Sequence, residues 1–215
     1  PLLQAKDHAA PSLLEPGNLL REARRQQGRP EVPVPAVALL DPDGDVVRHL
    51  ARTGRGRRHP GWACYHTEMW STVVDGTELG VVGMAVGAPF AVLVAEQLAE
   101  SGAELVVSIT SAGQISPLAG LPCFVLIDRA LRDEGTSHHY LPPGRWSHLD
   151  PTLAAKLDGA FAGLTEPVLT GSSWTTDAPY RETATAIRAA EQAGVACVEM
   201  EAAALYAYAT ARSRP

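Results

Sequence analysis

No stretch of this chain approaches the ~18 consecutive apolar residues that cross a bilayer, so a membrane span is not expected. No basic-then-apolar leader opens it. Cysteine is scarce. Cys64, Cys123 and Cys197 are odd in number and stand apart in apolar surroundings, which suits reduced core thiols in a cytoplasmic protein and argues against a disulfide framework. The span from Gly83 to Gly87 lacks the third glycine of a dinucleotide fingerprint, and no Gly-Lys-Ser/Thr phosphate loop occurs. Cys64-x-His66 and His138-His139 are isolated pairs with no second half, so no metal site is expected. No serine stands in a Gly-x-Ser-x-Gly elbow. Basic charge is also short, with a formal net charge of −6 at pH 7. The one basic run, Arg52 to His59, reads as a solvated loop and is too short in so acidic a chain to argue for nucleic acid; contact with an anionic ligand or a neighbouring subunit stays open.

What is present is an ordinary globular composition, 46% hydrophobic and 20% charged, in 215 residues. One domain with a sizeable core is the default at this length. Residues 1–33 read as a polar N-terminal arm with a short helix near 19–27. Apolar runs at 34–40, 62–72, 80–86, 104–110, 123–127, 167–171 and 195–198 read as strands. The run at 104–110 is expected to be buried on both faces if helices cover the sheet. Residues 46–51 suit either a helical turn or a strand. Helices are expected at 90–100, where Pro89 fits a first turn, and at 151–161 and 181–193, the last ending at Gly194. Strands alternating with helices predict a single α/β domain over 34–215, with a central mixed, mostly parallel twisted sheet flanked by helices. Ligands in such folds sit beyond the carboxyl ends of strands. The exits after Thr110, after Thr170 and at Glu199–Glu201 therefore matter.

The last exit is the most informative. The apolar run from Val195 enters an Ala-rich segment of high helix propensity, and Glu199 and Glu201 sit at the junction. A carboxylate buried there must be paired or hydrogen-bonded. Two readings stay open from these residues alone: a capped helix start, or a carboxylate that accepts two hydrogen bonds from neighbouring hydroxyls, as on a ribose.

The segment Val198-Glu199-Met200-Glu201-Ala202-Ala203-Ala204-Leu205-Tyr206 resembles the nucleoside phosphorylase superfamily, specifically its uridine phosphorylase-like branch. Residues 174–183 look like the base-binding loop of several members, 107–115 match the strand and small-residue turn, and Gly44-Asp45-x-x-Arg48 matches the spacing of an N-terminal phosphate loop. Residues 134–137 and His139 also look like family positions and are given no role. The resemblance implies cleavage of the N-glycosidic bond of a nucleoside, by phosphate or by water. It implies that Glu201 holds the ribose hydroxyls with Met200 against the sugar, and that Tyr180 and Glu199 lie at the base. Gly44, Arg48, Ser111, Ala112 and Gly113 would line the phosphate or water site. It further implies a homo-oligomer, dimer or hexamer, with His66 and its strand as the contact, and no cofactor beyond phosphate as co-substrate.

Departures from the pattern are specific. Ser108 stands where phosphorylases of this branch carry a strand arginine, and Thr67 where a neighbouring subunit lends another. The basic run at 55–58 is the one candidate replacement. The resemblance also implies a further core strand after the helix at 201–212, bearing the polar residue that assists the leaving base; the sequence stops at Pro215, ahead of it. No catalytic residue is named. Phosphorolysis, hydrolysis and nucleoside binding without turnover remain as readings, and the base, purine or pyrimidine, is not specified.

Overall fold

A computed structural model describes residues 2–118 and 120–215. The chain forms two compact units, Ala9–Thr110 and Pro1–His8 with Ser111–Pro215.

The first unit begins with α1 (Pro16–Gln27), which has proline in its first turn and ends at Gly28 in the left-handed region, φ 63°. Its Leu20 and Ala23 are buried with Ala63. Then follow β1 (Val37–Asp41), α2 (Asp45–Thr53), β2 (Arg57–Arg58), β3 (Met69–Val74), β4 (Thr77–Gly83), α3 (Ala88–Glu100) and β5 (Leu105–Ser108). The β3–β4 hairpin turns at Asp75-Gly76, both at positive φ, which matches the twist of a two-residue hairpin loop. The sheet order is β2-β3-β4-β1-β5. β1 pairs in parallel with β4 and β5, whereas β2–β3 and β3–β4 are antiparallel. Leu40, Val81 and Val82, and from α3 Val92, Val94 and Leu98, are buried.

The second unit contains β6 (Gly113–Gln114), β7 (Phe124–Asp133), α4 (Ser137–Tyr140), β8 (Trp146–His148), α5 (Pro151–Lys156), β9 (Val168–Thr176), α6 (Ala184–Gln192), β10 (Val195–Glu199) and α7 (Ala202–Arg212), with a 3₁₀ turn at Pro179–Arg181. Its sheet runs β6-β10-β9-β7-β8, with parallel pairing in the centre and antiparallel edges. Trp174, Val195 and Val198 bury one face with Ala190 of α6; Ala130 buries the other with Ala202 and Ala203 of α7.

The α/β class and mixed pairing are those expected, with the strands shared between two five-stranded sheets. Local differences have local causes. Pro33 and Pro35 delay the first strand to Val37. Residues 62–68 are loop, with Trp62, Ala63 and Cys64 buried as core rather than as strand. Residues 46–51 are helical. Burial of 104–110 on both faces, expected if helices cover the sheet, is not seen: among the described residues β5 pairs with β1 alone, and Val107 and Ile109 are exposed.

Candidate functional site

The β10–α7 junction is built around Glu199. Its side chain is 5% exposed. One carboxylate oxygen accepts hydrogen bonds from the Ser173 and Thr175 hydroxyls on β9, the first at 2.9 Å. The other accepts the backbone N–H groups of Glu201 and Ala202, each at 2.7 Å. Thr175 Oγ1 in turn accepts the Ala203 N–H at 2.9 Å. The unsatisfied donors of the helix start are thus met by side chains three residues back and on the adjacent strand. Burial pushes the Glu199 carboxyl above its ordinary range, while hydrogen bonds from Thr175, Ala202, Glu201 and Ser173 pull it down.

Glu199, expected at the base, is therefore an anchor whose oxygens are engaged by its own chain. Glu201 occupies the N-cap position of α7, yet its side chain makes no capping bond. It is 2% exposed, and Met200 beside it is partly buried. On β10, burial first and then the Glu199 and Cys123 charges push the Cys197 thiol up to about 12, so it stays protonated and inert.

β9 leads into the proposed base loop. Trp174 donates from Nε1 to Asp133 Oδ2 at 2.9 Å, and the Gly135 N–H donates to Asp177 Oδ2 at 2.8 Å. These two bonds tie the 174–178 segment to the loop after β7. Tyr180 is not held: its side chain is fully exposed in the 3₁₀ turn and packs on no described residue.

The loop after β7 carries a network that sequence reasoning left without a role. Arg132, 9% exposed, donates to Ser137 Oγ and to the Pro142 carbonyl, both at 2.8 Å. Its other terminal nitrogen reaches the Leu141 carbonyl and His138 Nδ1, both at 3.2 Å. Glu134 Oε2 accepts the Ser137 N–H at 2.9 Å, while Oε1 is buried with no hydrogen-bond partner among the described residues. The only signal in the sequence is density: charged and hydroxyl residues crowd 132–139 before Pro142-Pro143-Gly144 closes the loop.

Gly44 and Arg48 lie in the first unit, at the turn from β1 to α2. Gly44 has φ 75°, and a Cβ on it would stand 2.6 Å from Met84 Cε and 2.8 Å from Arg48 Nη1. Asp41 organises the turn: its carbonyl accepts the N–H of Gly44 and of Met84, and its buried carboxylate accepts the Val47 N–H at 2.9 Å. Met84 is itself at φ 67°, an uncommon conformation for a residue with a side chain. Arg48 pairs with Asp45 at 2.6 Å and with the Asp43 carbonyl at 2.8 Å.

Ser111, Ala112 and Gly113 belong to the second unit and are exposed. Gly113 sits opposite Val198, where a Cβ would come within 2.9 Å of Val198 Cγ1, so packing alone demands glycine there. The candidate replacements for the missing arginines are engaged elsewhere. Arg58 pairs with Glu68 at 2.8 Å, and Arg57 lies 3.6 Å from Glu78. Thr67 Oγ1 accepts from Trp62 Nε1 at 3.0 Å, and Ser108 is an exposed residue at the end of β5. Among the described residues, no group of three or more His, Cys, Asp or Glu side chains is placed to hold a metal ion. No helix of the described chain is long and apolar enough to cross a membrane.

The family model of the phosphorylase superfamily matches residues 36–215. A guanosine phosphorylase of Halorubrum lacusprofundi is 27% identical over 135 residues, covering 63% of this chain and 56% of that protein. The chain thus spans little more than half the length of that relative. Among solved structures, a uridine phosphorylase from Vibrio fischeri complexed with 6-hydroxy-1-naphthoic acid superposes with a TM-score of 0.72 at 20% identity, over 85% of this chain and 74% of that one. A second structure, of uridine phosphorylase from the same organism, gives 0.72 at 20% identity, over 85% and 76%. At this identity the likeness shows the fold.

Proposed function

This chain belongs to the phosphorylase superfamily, and on that premise we propose that it cleaves the N-glycosidic bond of a nucleoside with phosphate as the attacking group. A phosphate oxygen forms the bond to C1′ of the ribose. The C1′–N bond breaks, its electron pair leaves with the base, and the base takes up a proton. The products are a pentose 1-phosphate and a free base. The observation that carries the reading is the Glu199 clasp, which fixes the backbone at Glu201 and Ala202 and with it the start of the Glu201 side chain beyond the carboxyl end of β10. A carboxylate so placed suits the two ribose hydroxyls, and Met200 suits the sugar face. Gly44, Arg48, Ser111 and Gly113 are the proposed phosphate contacts, with Tyr180 as the aromatic for the base. The named activities of the relatives, on guanosine and uridine, support the nucleoside class.

A second reading is hydrolysis without phosphate. Ser108, the Trp62–Thr67 bond and the paired Arg57 and Arg58 favour it, because they leave Arg48 as the cation of the turn. A dianion held by one guanidinium and neutral donors is held less strongly, charge-assisted contacts being roughly twice as strong as neutral ones. Base release from a panel of purine and pyrimidine nucleosides, with and without phosphate, decides. Release only with phosphate, its saturation lost in Arg48→Ala, supports the proposal. Release independent of phosphate selects hydrolysis, and binding without release selects a non-catalytic relative.

The reaction calls for no metal or organic cofactor. A homo-oligomer, dimer or hexamer, is proposed with exposed His66, which meets Phe90 edge-on at 6.3 Å, at the contact. A cytoplasmic location is supported by three cysteines that are all free thiols.

A further inference from the structure

A groove of about 920 Å³ opens in the first unit between α1 and the carboxyl end of α3, within the ~300–1,000 Å³ range of small-molecule sites. It shares no residue with the site proposed above. One wall comes from residues 15–33, which precede the superfamily match at 36–215.

Its chemistry is unusual for a surface groove. Arg21, Arg24 and Arg29 line it together with Glu15, Glu31 and Glu100, and no arginine of the three lies within salt-bridge distance of a carboxylate among the described residues. Leu20 and Ala23 turn into the core, so Arg21 and Arg24, one residue further on, stand on the adjoining face of α1. Gly17 belongs to the same face, and a Cβ there would run into the Glu100 side chain. The glycine therefore leaves room for the Glu100 carboxylate against α1.

Two polar groups are stranded. Among the described residues Arg24 Nε is buried without a partner, and so is the hydroxyl of Ser101, a residue 6% exposed. The Ser101 backbone is fully engaged: its N–H bonds the Gln97 and Leu98 carbonyls, and its carbonyl accepts from Val34. Only the hydroxyl is left over. Buried polar groups without partners are costly and rare, and a bound acceptor is one way to satisfy them.

We propose that this groove binds a small ligand through one compact oxyanion group, a phosphate or a carboxylate, seated on Arg21, Arg24 and Ser101. Guanidinium forks match such groups bidentately. The facing glutamates keep the groove's charge even, which suits a single oxyanion and not a polyanion such as nucleic acid.

Calorimetric titration of the whole chain with inorganic pyrophosphate and, separately, with citrate tests this and tells phosphate from carboxylate. Saturable binding of at least one is expected. It should weaken about tenfold or more in the Arg21→Gln, Arg24→Gln double variant, which removes two charge-assisted contacts. It should persist in Arg48→Ala. Glu100→Gln should tighten it roughly threefold by removing a like charge, a gain that misfolding cannot imitate. Binding of neither anion, binding untouched in the double variant, or binding lost in Arg48→Ala overturns the proposal, the last by moving the anion to the β1–α2 turn.

Discussion

A buried carboxylate is costly unless donors surround it, and Glu199 has four. Two are hydroxyls, which can turn to accept instead. Two are backbone amides, which cannot. Glu199→Gln can keep its carbonyl oxygen on the amides and aim its NH₂ at Ser173 and Thr175, but the protons of those two hydroxyls then lose the acceptor they have now. The substitution is expected to cost about 1–3 kcal/mol in urea unfolding, the range for a mispaired buried polar group. Glu199→Ala strands all four donors and should cost more. Glu201 is the proposed ribose contact, at the N-cap position of the next helix. Glu201→Gln is expected to weaken nucleoside binding at least tenfold, the loss of a charge-assisted hydrogen bond being about 1.5–3 kcal/mol. Unchanged affinity by calorimetric titration would remove the ribose role from Glu201.

At the scale of elements, the turn from β1 to α2 separates stability from ligand binding. Asp41→Ala removes the acceptor of the Val47 N–H but leaves the backbone bonds to Gly44 and Met84. It should act like the loss of a helix cap, about 1 kcal/mol, which for a chain of this length is roughly 2–4 °C in Tm. Gly44→Ala puts a Cβ against Met84 and Arg48 at positive φ. The strain of about 1–2 kcal/mol comes with displacement of the guanidinium. Half-saturation for phosphate should rise several-fold in Gly44→Ala and barely change in Asp41→Ala; equal effects in the two would show that the turn is only structural.

The same turn shows what the sequence can and cannot carry. That Gly44 and Arg48 meet is local, because a short spacing fixes them relative to each other. That Asp41 and Met84 meet is not, because it depends on β4 lying beside β1. The Glu199–Glu201 junction was legible as a switch from an apolar strand to an Ala-rich helix. Its partners Ser173 and Thr175, more than twenty residues away, were not. Trp62 to Cys64 looked like strand because buried loops and buried strands are equally apolar. Val107 and Ile109 looked buried on both faces because periodicity does not reveal which strand ends a sheet. The Arg132–Glu134–Ser137 network depends on a loop folding back on itself, which no spacing rule describes.

Across the whole molecule, two histidines set an acid limit. The Gly61 N–H donates to His59 Nδ1 at 3.2 Å, so that ring nitrogen must be unprotonated. Arg132 donates to His138 Nδ1, with the same requirement. Burial is the main cause that lowers both, joined by Arg57 for His59 and by Arg132 and His139 for His138, against opposing contributions from Glu78 and the Pro33 backbone and from Glu134. Both folded values therefore lie below the unfolded value of about 6.5. The folded state binds fewer protons, so this stability is complete above the unfolded value and lost as pH falls below it. Glu199 runs the other way: its raised carboxyl favours folding while protonated, and that contribution fades as pH rises from the unfolded value of about 4.3. Urea midpoints should accordingly fall between pH 7.5 and pH 5.5 in the native sequence. In the His59→Asn, His138→Asn double variant, where an amide oxygen replaces each Nδ1 acceptor, the fall should be largely abolished. A native chain whose midpoint holds steady or rises over that interval, or a double variant with an undiminished slope, would show that the two imidazoles are not the groups that set it.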